Sequence, residues 1–359
     1  MTMKTRALLV YSLLLMLVVA ARPGYSQPAG NLQKNIRFAK RQAGDPLEHL
    51  PKNIEVLTSF GERADISPDN RSIAFMLKNF GDAMLINLAT RVITCLTCNV
   101  PGAAFVRVMH LSNGDYLLTG PQQYNKERAT RARDHDLWYL SKKQGAKPVK
   151  LGLTIGEGLA ISKNTMKLAY TEVPPKPSPV FSRLVTAELD LTGTEPKLTN
   201  QKILLESNDS TCTLEAQDFY ENDKKLTMFC YVPDAAFEVK GIELKSGQVT
   251  NFSNYPNAFN EPEGIFPDGK YTAVEMDRQC EWLGGKRGSG NLDIWKLRLD
   301  GSGKDIERLT FFNDYEGGKA ANPVVSTDGK FMAFQAARAS DPPGIGHGIL
   351  IYRFGKSGQ

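Results

Sequence analysis

The chain has 359 residues, of which 41% are hydrophobic and 23% are charged, and its formal net charge is +5 at pH 7. These proportions are those of an ordinary globular protein, and the length allows one large domain or two smaller ones. They exclude a chain dominated by membrane spans, because only the N-terminus carries a long apolar run.

The N-terminal segment has the features of a secretory signal peptide. Lys4 and Arg6 precede an apolar run over residues 7–21, which is short for a membrane span. We therefore predict a signal peptide over residues 1–26, a periplasmic or secreted protein, and no membrane span after cleavage; an uncleaved membrane anchor is the alternative. Cleavage would remove three positive charges and lower the net charge from +5 to +2, which predicts no nucleic-acid partner.

Residues 27–52 are mostly polar and show no sustained period, so we predict a flexible leader there. From Ile54 onwards the pattern is typical of β-structure: short alternating runs with frequent turn signals. We find no amphipathic pattern that predicts a helix longer than about two turns.

One hairpin signal recurs through the chain. In its clearest copy, Pro267 presets the backbone angle of the first turn position, Asp268 bonds its own backbone, and Gly269 accepts a positive φ. The equivalent turns begin at Ser67, Ser112, Ser162, Tyr220, Phe266 and Ser326. The spacing of about 45 to 60 residues predicts four-stranded propeller blades.

The last repeat ends without a fourth strand, and the missing strand can be found at the front of the chain. The run Ile54 to Thr58 is similar to the fourth strands that end at Thr97 and Thr310. We therefore predict one all-β domain over residues 53–356, a six-bladed β-propeller whose ring is closed by an N-terminal strand in the last blade. We expect a monomer.

Three segments, ADISPDNRSIAF, GIFPDGKYTAVE and NPVVSTDGKFMAF, resemble the repeat of the TolB-like (PD40, WD40-like) propeller family. The resemblance implies a propeller over most of the chain. TolB itself carries an N-terminal α/β domain that mediates much of its partner binding. Only residues 27–52 lie between the predicted signal peptide and the first strand here, so TolA or Pal binding is not implied.

Five cysteines are present, and an odd count leaves at least one thiol unpaired within the chain. Cys95 and Cys98 follow a strand-like run, which favours a local disulfide or two buried thiols over redox chemistry. A structural zinc site would need a second cysteine pair or paired histidines, and neither occurs.

The position five residues before each turn predicts the lining of one channel mouth. The residues at this position are Glu62, Arg107, Glu157, Glu215, Glu261 and Ala321. With the nearby Glu263, they would form a largely acidic ring that attracts cations, basic groups or hydroxyl-rich ligands. Calcium or another divalent cation is a possible cofactor, because hard cations take several carboxylate oxygens. The alternative is that each glutamate caps a neighbouring blade or pairs with an arginine.

Four further residues are candidates on the same face. Arg278 and Arg338 follow the second strands of blades 5 and 6, where they could bind an anionic ligand or pair with the glutamates. His135 and His347 begin third strands and are weak candidates for a metal site, with surface histidines as the alternative.

Function should lie on the face that carries the long connections between the second and third strands of the blades. We predict a scaffold that binds a protein or glycan partner through these loops and the acidic mouth. The alternative is a carbohydrate-active enzyme, a lyase or hydrolase, that uses the carboxylates with Arg278 or Arg338. The chain has no G-x-S-x-G motif, so the sequence does not predict a serine hydrolase.

Overall fold

In the computed structural model, alternating apolar runs form six antiparallel sheets of four strands each. The structure describes residues 39–121, 124, 135–231, 237–342 and 344–355. The predicted signal peptide lies outside these residues. Within the described ranges, none of the helices combines the length and apolar character needed to cross a bilayer.

The first strand, β1 (Ile54–Val56), belongs to the last blade, and the first three blades follow it in sequence. Blade 1 contains β2 (Glu62–Ile66), β3 (Ser72–Met76), β4 (Ala83–Asn87) and β5 (Ile93–Cys95). Blade 2 contains β6 (Arg107–His110), β7 (Tyr116–Thr119), β8 (His135–Leu140) and β9 (Val149–Ile155). Blade 3 contains β10 (Leu159–Ile161), β11 (Lys167–Glu172), β12 (Ser182–Asp190) and β13 (Lys197–Ser207).

The other three blades have the same order of strands, from the channel outwards. Blade 4 contains β14 (Thr213–Tyr220), β15 (Lys225–Tyr231), β16 (Lys240–Glu243) and β17 (Val249–Asn251). Blade 5 contains β18 (Asn260–Ile265), β19 (Tyr271–Met276), β20 (Asp293–Arg298) and β21 (Ile306–Arg308). Blade 6 contains β22 (Gly318–Val325), β23 (Phe331–Arg338), β24 (Ile349–Arg353) and β1.

The N-terminal strand closes the ring. In the antiparallel pairing of β1 with β24, Ile54 lies opposite Tyr352 and Val56 lies opposite Leu350. The Leu57 N–H also donates to the Ile349 carbonyl at 2.8 Å. The predicted six-bladed propeller and its mode of closure are therefore confirmed.

The hairpin turns between the first two strands of the blades follow the turn chemistry of the sequence. Gly269 has a φ of 66°, and its N–H donates to the Phe266 carbonyl at 2.9 Å. The Lys270 N–H donates to Asp268 Oδ1, also at 2.9 Å. Gly329 repeats the positive φ in blade 6 at 67°. Only glycine takes this backbone conformation without a steric cost.

The hydrophobic core consists of clusters between neighbouring blades. Blade 5 contributes Ile294 and blade 6 contributes Phe334 to one cluster, and both are fully buried. Leu117 of blade 2 and Leu168 of blade 3 share another cluster. Because each sheet buries both faces against its neighbours, ring closure is required for blades 1 and 6 to complete their cores.

The described part of the predicted leader is anchored, which differs from the expected flexibility. Arg41 donates hydrogen bonds to the carbonyls of Asn313 at 2.9 Å, Leu283 at 3.2 Å and Gly284 at 3.0 Å. A short 3-10 helix (Pro46–His49) follows, and the Asp45 side chain caps it. These contacts attach residues 39–50 to blades 5 and 6.

Two disulfides are present, Cys95–Cys98 and Cys212–Cys230, and Cys280 is a buried free thiol. The first bond is the local disulfide that the sequence left as one of two alternatives. Cys280 lies in α1 (Cys280–Leu283), a single helical turn in the loop between β19 and β20. Among the described residues, this four-residue segment is the only α-helix.

Candidate functional site

A cavity of about 1000 Å³ opens at one mouth of the central channel. Its floor is formed by the first strands of the blades, and its walls include the loop from Asp277 to Leu292 in blade 5 and Ala339, Pro342 and Gly344 in blade 6. The connections between the second and third strands of blades 5 and 6 therefore border it. We call it the channel-mouth cavity, and the face on which it opens the top face.

Most of the predicted ring residues line this cavity. They are Arg107, Glu157, Glu215, Glu261 and Glu263, and Ala321 occupies the equivalent place in blade 6. These residues lie at or near the start of the innermost strand of each blade, so the repeat places them at the same height. The structure thus brings together residues that are far apart in the sequence.

Glu62 does not line the cavity. Arg63 has a φ of 53°, and the pairing of β2 with β3 shifts register between Glu62 and Asp65. This bulge directs Arg63 into the cavity and places Glu62 against blade 6, where its Oε2 accepts from the Gly346 N–H at 3.1 Å. Burial raises the pKa of Glu62 to about 7, against the opposing effects of the Gly346 N–H and Arg63.

Several charged groups of the cavity form ion pairs or hydrogen bonds with other cavity residues. Arg63 forms an ion pair with Glu157 across the channel. The Asn322 N–H donates to Glu275 Oε1 at 2.5 Å, and its side-chain amide donates to Glu263 Oε1 at 3.1 Å. One asparagine therefore fixes two of the five glutamates that line the cavity.

Three carboxyl groups of the cavity have strongly raised pKa values. Burial, with repulsion from Glu157, raises the pKa of Glu215 to about 8, although Arg107 opposes the change. Burial and the Glu263 charge raise the pKa of Glu275 to about 7, and the same causes raise the pKa of Glu261. Burial also lowers the pKa of Lys319, although Glu275 and Glu261 favour its charged form. Such clusters of perturbed groups in a cleft are typical of functional sites.

Sequence reasoning missed several cavity residues. Arg63 was hidden by the bulge, and Lys319 precedes the position that the repeat marks. Glu275 could have been found, because it lies directly opposite Glu261 in the pairing of β18 with β19. At the rim, Arg287 forms an ion pair with Asp277 at 3.1 Å.

Neither predicted arginine lines the cavity. Arg278 stacks on the Tyr255 ring, with its guanidinium 3.9 Å from the ring centroid. Arg338 is exposed at the end of β23, where its N–H donates to Asp341 Oδ2 at 2.7 Å. Their positions therefore connect them with the top-face loops, while the cavity takes its positive charge from other residues.

The two histidines lie apart from each other. His135 is buried at the start of β8, and the exposed His347 bonds Asp341 through Nε2 at 2.8 Å. Within the described ranges, the only close group of three potential metal ligands is Asp82 with Cys95 and Cys98. The two sulfurs are joined in a disulfide, so this group lacks the thiolates that a metal would need.

Below the cavity the channel narrows around a buried ionic cluster. Asp65 bonds His110 at 2.9 Å and Lys163 at 2.7 Å. Burial works against the charge of Asp65, but Lys163 and His110 outweigh it and lower its pKa to about 2. This cluster stabilises the negative charge of Asp65.

Comparisons with known proteins identify the fold. No family model matches the chain, and no curated protein matches it. Among solved structures, a putative TolB from Agrobacterium tumefaciens is 18% identical with a TM-score of 0.51, over 76% of this chain and 79% of that one. TolB from Acinetobacter baumannii is 16% identical, with a TM-score of 0.41, over 79% of this chain and 65% of that one. An oligogalacturonate lyase from Vibrio parahaemolyticus is 12% identical, with a TM-score of 0.46, over 86% and 93%.

At this level of identity, the likeness to the Agrobacterium structure shows the fold alone. It agrees with the TolB-like propeller that the repeats predict.

Proposed function

We propose that the protein is an exported binding protein that holds a ligand in the channel-mouth cavity and contacts a partner through the top-face loops. The supporting observation is a cavity of about 1000 Å³ whose walls present buried ionisable groups. A volume of this size accommodates a drug-sized ligand, with polar groups placed to fix its orientation. Export is supported by the N-terminal signal-like segment and by two disulfides.

An enzyme is the second candidate, and one observation favours it. The pKa of Glu215 is raised to about 8 and that of Glu275 to about 7, which suits general acid or base catalysis near neutral pH. A lyase or hydrolase acting on a polysaccharide would need such a group beside the scissile bond. Arg107 and Lys319 line the same cavity and could stabilise negative charge in that reaction.

Ligand binding is tested by thermal unfolding of the mature chain with separate probes: calcium chloride, neutral oligosaccharides, oligogalacturonates and short peptides. A bound probe at a hundred times its Kd stabilises the folded state by about 2.7 kcal/mol. Ser289→Trp on the cavity wall should abolish the effect. Ser302→Trp is the matched control, because Ser302 is exposed in the turn between β20 and β21 and does not line the cavity.

A panel without any stabilising probe would contradict the proposal, as would equal effects of the two tryptophan variants. Release of sugar ends from a polysaccharide by wild type, lost in Glu215→Gln, would instead establish the enzyme.

A further inference from the structure

The charges of the channel-mouth cavity are segregated around the ring. One half is acidic and is contributed by three consecutive blades, 3, 4 and 5. Its members are Glu157, Glu215, Glu261, Glu263, Glu275 and Asp277. The other half is basic and is contributed by blades 6, 1 and 2, through Lys319, Arg63 and Arg107. Because the blades follow one another around the ring, the two halves face each other across the channel.

Two basic residues of blade 5 lie on the acidic half of the cavity, but they do not cancel its negative charge. Arg287 is engaged with Asp277 at 3.1 Å and with Glu281 at 3.6 Å. Lys286 is exposed in the rim loop, where water screens its charge. The acidic wall below the rim therefore keeps its sign.

The contacts within the cavity leave two charged side chains on each half that could contact a ligand. Arg63 forms an ion pair with Glu157, and Asn322 donates hydrogen bonds to Glu263 and Glu275. The side chains of Glu215 and Glu261 make no hydrogen bond or ion pair with the described residues, and the same holds for the side chains of Arg107 and Lys319. Glu215 is only 7% exposed and Lys319 only 3%.

Such groups are costly for the folded protein. Burial takes a charged group out of water, and the charges around it offset that loss only in part. The pKa of Glu215 is raised and that of Lys319 is lowered, mainly by burial. A ligand of one sign would relieve one half of the cavity and leave the other half uncompensated.

We propose that the channel-mouth cavity binds a small zwitterion, with its ammonium group against Glu215 and Glu261 and its carboxylate against Arg107 and Lys319. This inference rests on the proposed function and specifies the class of ligand. The ammonium is a three-fold donor suited to two carboxylates, and the guanidinium of Arg107 presents a planar fork that fits a carboxylate.

The cavity also offers an apolar contact for the body of such a molecule. Phe237 and Phe259 line it with ring centroids 4.4 Å apart, beside Leu292. A short peptide with an aromatic side chain has both terminal charges and a group for this wall.

The test uses the tripeptide glycyl-phenylalanyl-glycine and two derivatives of it. The N-acetylated form lacks the ammonium group, and the C-amidated form lacks the carboxylate. Binding is measured by calorimetry on the mature chain. We expect the free tripeptide to bind, and each derivative to bind roughly tenfold to hundredfold more weakly, because each has lost one charge-assisted contact.

Two variants test which half of the cavity contacts the ammonium group of the peptide and which half contacts its carboxylate. In Glu215→Gln, the difference in affinity between the free and acetylated tripeptides should become smaller than in wild type, because one of the two carboxylates that contact the ammonium group is gone. In Arg107→Gln, the difference in affinity between the free and amidated tripeptides should instead become smaller, because Lys319 is then the only one of the two proposed cations left for the carboxylate. Glu261→Gln and Lys319→Met are second variants for each half if either first variant fails to fold.

The outcomes separate this inference from the proposed function. Equal affinity for all three peptides would overturn the zwitterion. Binding of calcium or a neutral oligosaccharide that Ser289→Trp blocks, without binding of the tripeptide, would also overturn it while leaving the proposed function intact. Failure of every probe would overturn both.

Discussion

Glu62 gives the sharpest test of the electrostatics of this fold. Its side chain is 2% exposed, and one oxygen accepts the Gly346 N–H while the other has no partner among the described residues. Burial raises its pKa from 4.5 to about 7. At about 1.4 kcal/mol for each pH unit, this corresponds to about 3 kcal/mol of unfolding free energy.

The sign follows from proton linkage. The folded state holds the Glu62 proton more tightly than the unfolded state does, because the pKa is raised on folding. Its contribution to stability is therefore fully present below pH 4.5 and is lost as the pH rises through about 7. Glu62→Gln keeps an oxygen acceptor for Gly346 and removes the ionisation.

We expect Glu62→Gln to match wild type near pH 4 and to exceed it by about 3 kcal/mol above pH 8. Urea unfolding across this pH range measures the difference. Glu195→Gln is the control, because Glu195 is exposed in the turn between β12 and β13 and its replacement should add no pH dependence. A constant difference between Glu62→Gln and wild type across the range would refute the argument.

Three further predictions test the packing of the ring. Ile54→Ala removes a buried side chain from the closing strand and should cost about 2–5 kcal/mol in urea unfolding; an unchanged midpoint would contradict this role in closure. Arg308→Met removes the cation beside the buried Asp293 carboxylate, which Arg308 contacts at 2.5 Å, and should cost about 3–5 kcal/mol in the same assay, with Arg308→Lys less affected. Arg41→Ala should expose residues 39–50 to limited proteolysis; a cleavage pattern like that of wild type would show that other contacts hold the segment.

The fold can be predicted from the sequence because each blade repeats the same short pattern of turns and strands. Five of the six hairpin turns have glycine or asparagine at a positive φ, namely Asn70, Gly114, Asn222, Gly269 and Gly329. These signals set the period and, with the alternating strands, the number of blades. The closing strand could be predicted for the same reason, because β1 has the pattern of other fourth strands.

The candidate site is less accessible to such reasoning, because its details depend on non-local contacts. The sequence places Glu62 in the acidic ring, and a positive φ at Arg63 exchanges the two residues. No periodic pattern shows this bulge. Similarly, Arg41 is held by carbonyls of a loop some 240 residues away, which no feature of the leader sequence indicates.

The residues at the channel mouth are not under the same backbone constraint as the residues of the hairpin turns. Backbone geometry restricts the turn residues, and the repeat therefore preserves them. No such restriction acts at the start of the innermost strands, where blades 2, 4 and 6 carry Arg107, Glu215 and Ala321. Ala321 shows that the fold accepts a small neutral side chain there.

The charges in the cavity therefore need an explanation other than folding. Glu215 destabilises the folded state at neutral pH, because burial raises its pKa to about 8. Glu215→Gln should therefore stabilise the empty protein while weakening a ligand that carries an ammonium group. That opposition between stability and binding is expected of a functional residue and not of a structural one.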